Sequence, residues 1–122
     1  MNNTLVTGPR IGFCSPTISV VASNVTAASK GCTAMQGLGA GKYNSSCPGS
    51  GGAHGGKGGY GSAGTPCSAL VPLPYFYSGM AIFEGSGGGR GNSSRGGSGG
   101  GIIWLSSTDT ITLDNSTLEV QG

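Results

Sequence analysis

The sequence predicts a mostly β fold with essentially no α-helix. The expected form is a short-strand, β-solenoid-like (β-helix-like) repeat unit. It would carry an ordered glycine-rich insertion with polyproline-II-like packing. Three observations lead there. Short segments rich in β-branched residues lie near both ends of the chain. A long Gly/Ser/Pro region separates them. No window of about 11 residues keeps a helical apolar period free of Gly, β-branched residues and turn formers.

The 122 residues fit a single repeat-type unit, 1–122. The first β-like segment covers 17–28 and alternates around Ile18, Val20 and Val25. The Gly-rich region covers 31–101. The second β-like segment covers 102–120. It reads as Ile102–Leu105, Thr110–Leu113 and Thr117–Val120, with turn-like links between. The two β segments resemble each other. Ile18 to Gly31 can be laid over Ile111 to Gly122, each reading strand, polar turn with a glycosylation signal, strand, glycine. The spacing, about 90 residues, suggests one period of a tandem array.

Glycine accounts for 27 residues and proline for 6, while only 8% of the chain is charged. Leu, Ile, Val and Phe together number 22, too few for a large conventional core. The glycines are not scattered. Gly49, Gly52, Gly55, Gly58, Gly61 and Gly64 stand at consecutive third positions. Three residues per turn is the repeat of the polyproline II helix. A side-chain-free face at that period lets extended segments pack backbone to backbone. The other triplet positions lack proline, which argues against a collagen triple helix. From Leu70 to Phe83, Pro72, Pro74 and Tyr75-Phe76-Tyr77 predict an irregular aromatic segment covering the glycine region.

Four cysteines, Cys14, Cys32, Cys47 and Cys67, contain no CxxC pair, and the single His54 cannot complete a zinc set. An even number in a core-poor chain predicts two disulfides, with three possible connectivities. Cys47–Cys67 is favoured because it brackets the glycine-richest stretch. Asn-x-Ser/Thr occurs at Asn2, Asn24, Asn44, Asn92 and Asn115, five of the six asparagines. With 27 Ser and Thr in the chain, chance predicts about one such signal. N-glycosylation in a secretory pathway accounts for the excess. Met1 to Arg10 has no apolar run of signal-peptide type, and no stretch suits a membrane span. A mature fragment, or one repeat from a longer chain, reconciles these readings.

Six basic residues face four acidic ones, a net charge of +2. No basic stripe forms, so nucleic acid is not an expected partner. Arg90 and Arg95 read as solvated loop cations. Gly59-Tyr-Gly-Ser-Ala-Gly64 matches GxGxxG but lacks the flanking strand and helix of a dinucleotide site. Gly96-Gly-Ser-Gly-Gly100 matches GxSxG, but His54 lies upstream of it and no nucleophile elbow is expected at Ser98. The carboxylates Glu84, Asp109, Asp114 and Glu119 form no recognisable acid/base pair. No catalytic residue, cofactor or metal is expected.

The order of motifs is more specific than any one of them. Gly51-Gly-Ala-His-Gly-Gly-Lys-Gly-Gly-Tyr-Gly61 comes first, followed by Gly85-Ser-Gly-Gly-Gly89, Gly99-Gly-Gly-Ile-Ile-Trp-Leu105 and Ile111-Thr-Leu. In that order the chain resembles the glycine-rich repeat regions of large secreted or cell-surface proteins of ciliates and other protists, with bacterial relatives. The resemblance implies repeated, β-rich extracellular architecture and no catalytic residues. The expected function is a structural building block of an extracellular fibril or cell-surface coat. It would be N-glycosylated and disulfide-stabilised, and its partners would be copies of itself. The alternative is an ice- or glycan-binding module. That module would use Ser/Thr arrays on a flat face, with Tyr75, Phe76, Tyr77 and Trp104 as stacking platforms.

Overall fold

The structure is a computed structural model, and it describes residues 1–54, 57–59, 67, 70–75, 83–91 and 95–122. The described part is mostly strand, with essentially no helix. In chain order the strands are β1 (Leu5–Thr7), β2 (Arg10–Cys14), β3 (Thr17–Val21), β4 (Asn24–Thr26), β5 (Ile102–Ser106), β6 (Thr110–Asp114) and β7 (Thr117–Glu119). All pairing between them is parallel. The ladders are β1-β4-β7, β2-β5 and β3-β6.

The register is regular. Leu5 pairs with Asn24, an offset of 19. Arg10 pairs with Ile102, an offset of 92. Thr17 pairs with Thr110 and Asn24 with Thr117, both offsets of 93. The internal similarity of Ile18 to Ile111 is therefore a pairing register inside this chain: the two residues are ladder partners. Residues 17–28 and 102–120 fall where the sequence predicts strands. β1 and β2 were not foreseen in the sequence. Leu5–Thr7 is only three residues long, and Gly8, Pro9 and Gly12 give this stretch the composition of turns.

Parallel partners point to the same side, so the inner faces stack in columns. Val6, Val25 and Leu118 form one column. Ile11/Ile103 and Phe13/Leu105 form two more, and Ile18/Ile111 and Val20/Leu113 another two. The core is Ile11, Ile18, Val20, Val25 and Ala27, with Val6, Phe13, Ile103 and Leu105 packed against it. Each large apolar side chain buried there contributes about 1.5–3 kcal/mol.

One corner recurs at each level. Asn3, Ala22 and Asn115 all adopt left-handed φ, at 49°, 45° and 44°. The next residue in each case carries a hydroxyl: Thr4, Ser23 and Ser116. Each hydroxyl donates to the carbonyl two residues back. The Thr4 N–H donates to Ser23 Oγ, and the Ser23 N–H donates to Ser116 Oγ, each at 3.2 Å. The result is a side-chain ladder along the corner, with the otherwise awkward turn amides satisfied.

Between β4 and β5 the chain makes a glycine-rich excursion. Its described segments are joined by backbone hydrogen bonds that step by three residues. Gly85 and Gly88 donate to Gly100 and Gly97. Cys32 and Met35 donate to Gly85 and Gly88, and Ser50 and Ala53 donate to Lys42 and Gly39. Glycine is required because the backbones touch. A Cβ on Gly99 would overlap the Gly85 carbonyl, and one on Gly31 would overlap the Gly100 carbonyl. At Gly97 nothing lies within 4 Å of that position.

These two environments give opposite expectations for one chemical change. Gly99→Ala is expected to destabilise the chain by about 1–3 kcal/mol or more, through forced backbone displacement. Gly97→Ala is expected to be neutral, or stabilising by about 0.4–1 kcal/mol through the unfolded state. Urea unfolding of both variants beside the parent checks this, and equal effects would contradict the packing role.

Candidate functional site

The strands present an outer and an inner surface to solvent at one end of the ladders. β5, β6 and β7 are edge strands, each paired on one side only. Ile111, Leu113 and Leu118 stand at inner-face positions, in column with buried Ile18, Val20 and Val25. Yet they are 44%, 48% and 37% exposed, since no further strand among the described residues pairs with β6 or β7 on that side. Val120 is similarly exposed. This is a contiguous apolar edge with unpaired backbone groups, a surface type that templates further pairing.

The outer face of β3 and β6 carries Thr17, Ser19, Thr110 and Thr112, all exposed, in a two-by-two array. On β5, Trp104 is exposed as well and does not enter the core. Its indole lies over Gly12, whose Cβ position is 3.6 Å from the ring.

Arg10 on β2 ties the ladders to the glycine-rich segments. Its Nε and Nη2 donate to the two carboxylate oxygens of Glu84, the latter at 2.9 Å. This hydrogen bonding holds the Glu84 carboxyl down to about 2, from an ordinary value of 4.5, with help from its own backbone and against partial burial. The same contact raises Arg10. Behind Glu84, Tyr75 Oη donates to the Glu84 carbonyl at 2.7 Å and accepts from Ser86 Oγ at 3.1 Å. His54 packs edge-on to Tyr75 at 5.0 Å, and its Nε2 lies 3.1 Å from the Phe83 carbonyl. Tyr75 is therefore a half-buried structural clamp. Phe76 and Tyr77 lie outside the described residues.

Cys47 and Cys67 are joined by a disulfide, with Cα atoms 5.7 Å apart. The expected second bridge is absent. Cys14 is an exposed residue of β2, whereas Cys32 is half-buried in the glycine-rich part, where its backbone bonds Gly85 and Gly99. Each is held by its own element, and both thiols are free.

Asn2, Asn24, Asn44 and Asn115 are all exposed, and Asn92 lies outside the described residues. Asn115 also has a conformational reason to be asparagine, since it occupies a left-handed corner. Asn44 Oδ1 accepts from the Ser46 N–H at 3.0 Å in a local turn. Of the period-three glycines, Gly49, Gly52 and Gly58 lie against backbone of residues 89–90, 86–87 and 51 respectively. Gly55, Gly61 and Gly64 lie outside the described residues.

Among the described residues no group of three or more His, Cys, Asp or Glu could hold a metal ion, and no helix is long and apolar enough to cross a membrane. Comparison with family models, curated proteins and solved structures found no match.

Sequence reasoning missed the partition of charge. Residues 30–101 hold Lys30, Lys42, Lys57, Arg90 and Arg95 against Glu84 alone. The strand-bearing remainder holds Arg10 against Asp109, Asp114 and Glu119. A net charge averaged over the chain conceals this; summing by segment would have shown it.

Two outcomes test the site. Under denaturing, non-reducing conditions, thiol titration should count two reactive cysteines per chain, rising to four after reduction. Separately, Glu84 has a lowered folded pKa, so between about pH 2 and 4.5 the unfolded state binds more protons and stability rises with pH. Melting curves should therefore separate wild type from Glu84→Gln above about pH 4.5 and converge as pH falls toward 2. A gap constant with pH would show that the ion pair is not its source.

Proposed function

We propose that the chain is a structural building block of an extracellular fibril or cell-surface coat. Its strands form a short β-solenoid. The glycine-rich part forms a polyproline-II-like bundle at the corner between β4 and β5. The observation that carries this reading is the open end of three parallel ladders, where Ile111, Leu113 and Leu118 stand exposed at inner-face positions. Because every pair is parallel, an edge strand of one copy can accept a strand of the next in the same direction. The corner hydroxyl ladder has polarity too. Ser116 closes it at one end with a backbone donor, and Thr4 opens it at the other with a hydroxyl acceptor. A second copy of the chain, stacked head to tail, would continue both the apolar columns and this ladder. Such a heterologous contact does not close, and so it propagates into a filament.

Three further features support an extracellular setting. The Cys47–Cys67 disulfide suits an oxidising compartment. The four described Asn-x-Ser/Thr asparagines are exposed, so glycans can be accommodated on the surface. The step-of-three hydrogen bonding favours the polyproline II description. A second reading draws on the exposed Thr17, Ser19, Thr110 and Thr112 array of β3 and β6 and on exposed Trp104 of β5, which would suit ice or a glycan surface. Thermal hysteresis, or glycan-array binding by a monomer that Trp104→Ala abolishes, would favour it.

The assembly reading is tested with Ile111→Lys and Leu113→Lys. Both place a charge at an exposed inner-face position, so the fold should tolerate them. The parent should show concentration-dependent association by light scattering and end-to-end filaments by electron microscopy. Either variant should reduce association at least about tenfold, the loss expected from burying an unpaired charge. A parent that stays monomeric over the whole concentration range would overturn the proposal.

A further inference from the structure

We infer that the glycine-rich part holds a binding site for an acidic saccharide, gripped by its carboxylate or sulfate group at Arg90 and Arg95. A concave pocket of about 680 Å³ opens there. Thr33, Met35, Arg90, Arg95 and Ser98 supply its functional groups. Sequence reading makes both arginines solvated loop cations; the fold brings them to one cavity wall.

Arg90 and Arg95 both line this pocket, and no Asp or Glu does. All four carboxylate side chains are among the described residues, and Arg10–Glu84 is the one ion pair these form. Glu84, the only acid in residues 30–101, is therefore already occupied. Asp109, Asp114 and Glu119 belong to the strand-bearing part. Arg90 is also positioned. Its guanidinium carbon lies 5.4 Å from the centroid of the Tyr43 ring, a cation–π contact that restricts the side chain while leaving its donors available. A guanidinium fork matches the geometry of a carboxylate or sulfate.

The volume argues for more than a bare ion. It falls within the usual range of small-molecule sites, roughly 300–1,000 Å³. The Thr33 and Ser98 hydroxyls offer contacts to sugar hydroxyls, and Ala34 and Met35 supply an apolar wall for a ring face. Gly96 adds no side chain to the cavity. An acidic sugar matches the mixture of two cations, two hydroxyls and one apolar side better than a purely polar anion. This inference stands apart from self-association, and it is tested at concentrations where the chain is monomeric.

The experiment is calorimetric titration of the folded, disulfide-intact chain. The probes are a uronic-acid disaccharide, a sulfated disaccharide, a neutral disaccharide, inorganic sulfate and a short poly-glutamate peptide. At least one acidic disaccharide should bind, and its affinity should fall as salt is raised. The preferred one identifies the group as carboxylate or sulfate. The neutral sugar should not bind, and sulfate alone should bind more weakly. Arg90→Ala and Arg95→Ala should each weaken binding about tenfold or more. Arg90→Lys should recover only part of it, since the charge remains but the fork is lost. Lys57→Ala should change nothing, and melting temperatures should match the parent. Equal binding of neutral and acidic sugars would overturn the inference. So would unchanged binding in both alanine variants, tighter binding of the peptide, or no binding by any saccharide.

Discussion

Gly99, Gly100 and Gly101 carry the chain from the glycine-rich part back onto β5, and a side chain would collide with backbone at each of them. Gly99 abuts Gly85, Gly100 abuts the Val120 carbonyl, and Gly101 abuts the Pro9 carbonyl and Ala27. The same stretch is knitted by hydrogen bonds from Gly31 to Gly99, Gly85 to Gly100, Gly101 to Ala27 and Ile102 to Pro9. This close approach sets where β5 begins. Once Ile102 is seated beside Arg10, the pairings of Ile103 with Ile11 and Leu105 with Phe13 follow. A shift of one residue would turn the inner columns outward. The offsets of 92 and 93 residues thus depend on backbone contact that only glycine permits.

The two halves of the molecule are stabilised differently. The strand ladders bury apolar columns in the ordinary way, with Val20 and Val25 fully enclosed. The glycine-rich part has few large side chains to bury. There, order rests on paired backbone groups, on the Tyr75–Ser86–Glu84 hydrogen-bond chain and on the Cys47–Cys67 bridge. Ordering glycine costs more conformational entropy than ordering any other residue. The disulfide offsets part of that by restricting the unfolded chain, in an entropic model by about 3 kcal/mol for a loop of this size. The Arg10–Glu84 pair couples the two halves, though Arg10 is largely exposed and solvent weakens the pair.

Much of the fold was legible because strand signals are local. Ile18, Val20 and Val25, and likewise Thr110–Leu113, alternate openly in the sequence. The likeness of Ile18 to Ile111 was also visible, and it proves to be a ladder partnership inside the chain. What escaped was non-local. β1 and β2 hide around Gly8, Pro9 and Gly12, residues whose types signal turns rather than strands. Trp104 itself, a residue usually assigned to a core, faces out because its neighbours Ile103 and Leu105 take the inner positions. The favoured Cys47–Cys67 bridge is present, whereas the expected second bridge is not, because Cys14 and Cys32 belong to different parts of the molecule.

The candidate sites illustrate the same limit from the side of chemistry. Asparagine at 115 reads in sequence as a glycan signal, yet its left-handed φ gives it a structural task shared with Asn3 and Ala22. The corner tolerates alanine at one level, so asparagine is favoured there without being required. Asn2 and Asn24, both exposed and with φ outside the left-handed region, carry no such second explanation. Arg90 and Arg95 show the converse. Five positions apart in a glycine-rich run, they carry no motif. They gain a chemical role only when the bundle folds Thr33 and Ser98 beside them and leaves every carboxylate elsewhere.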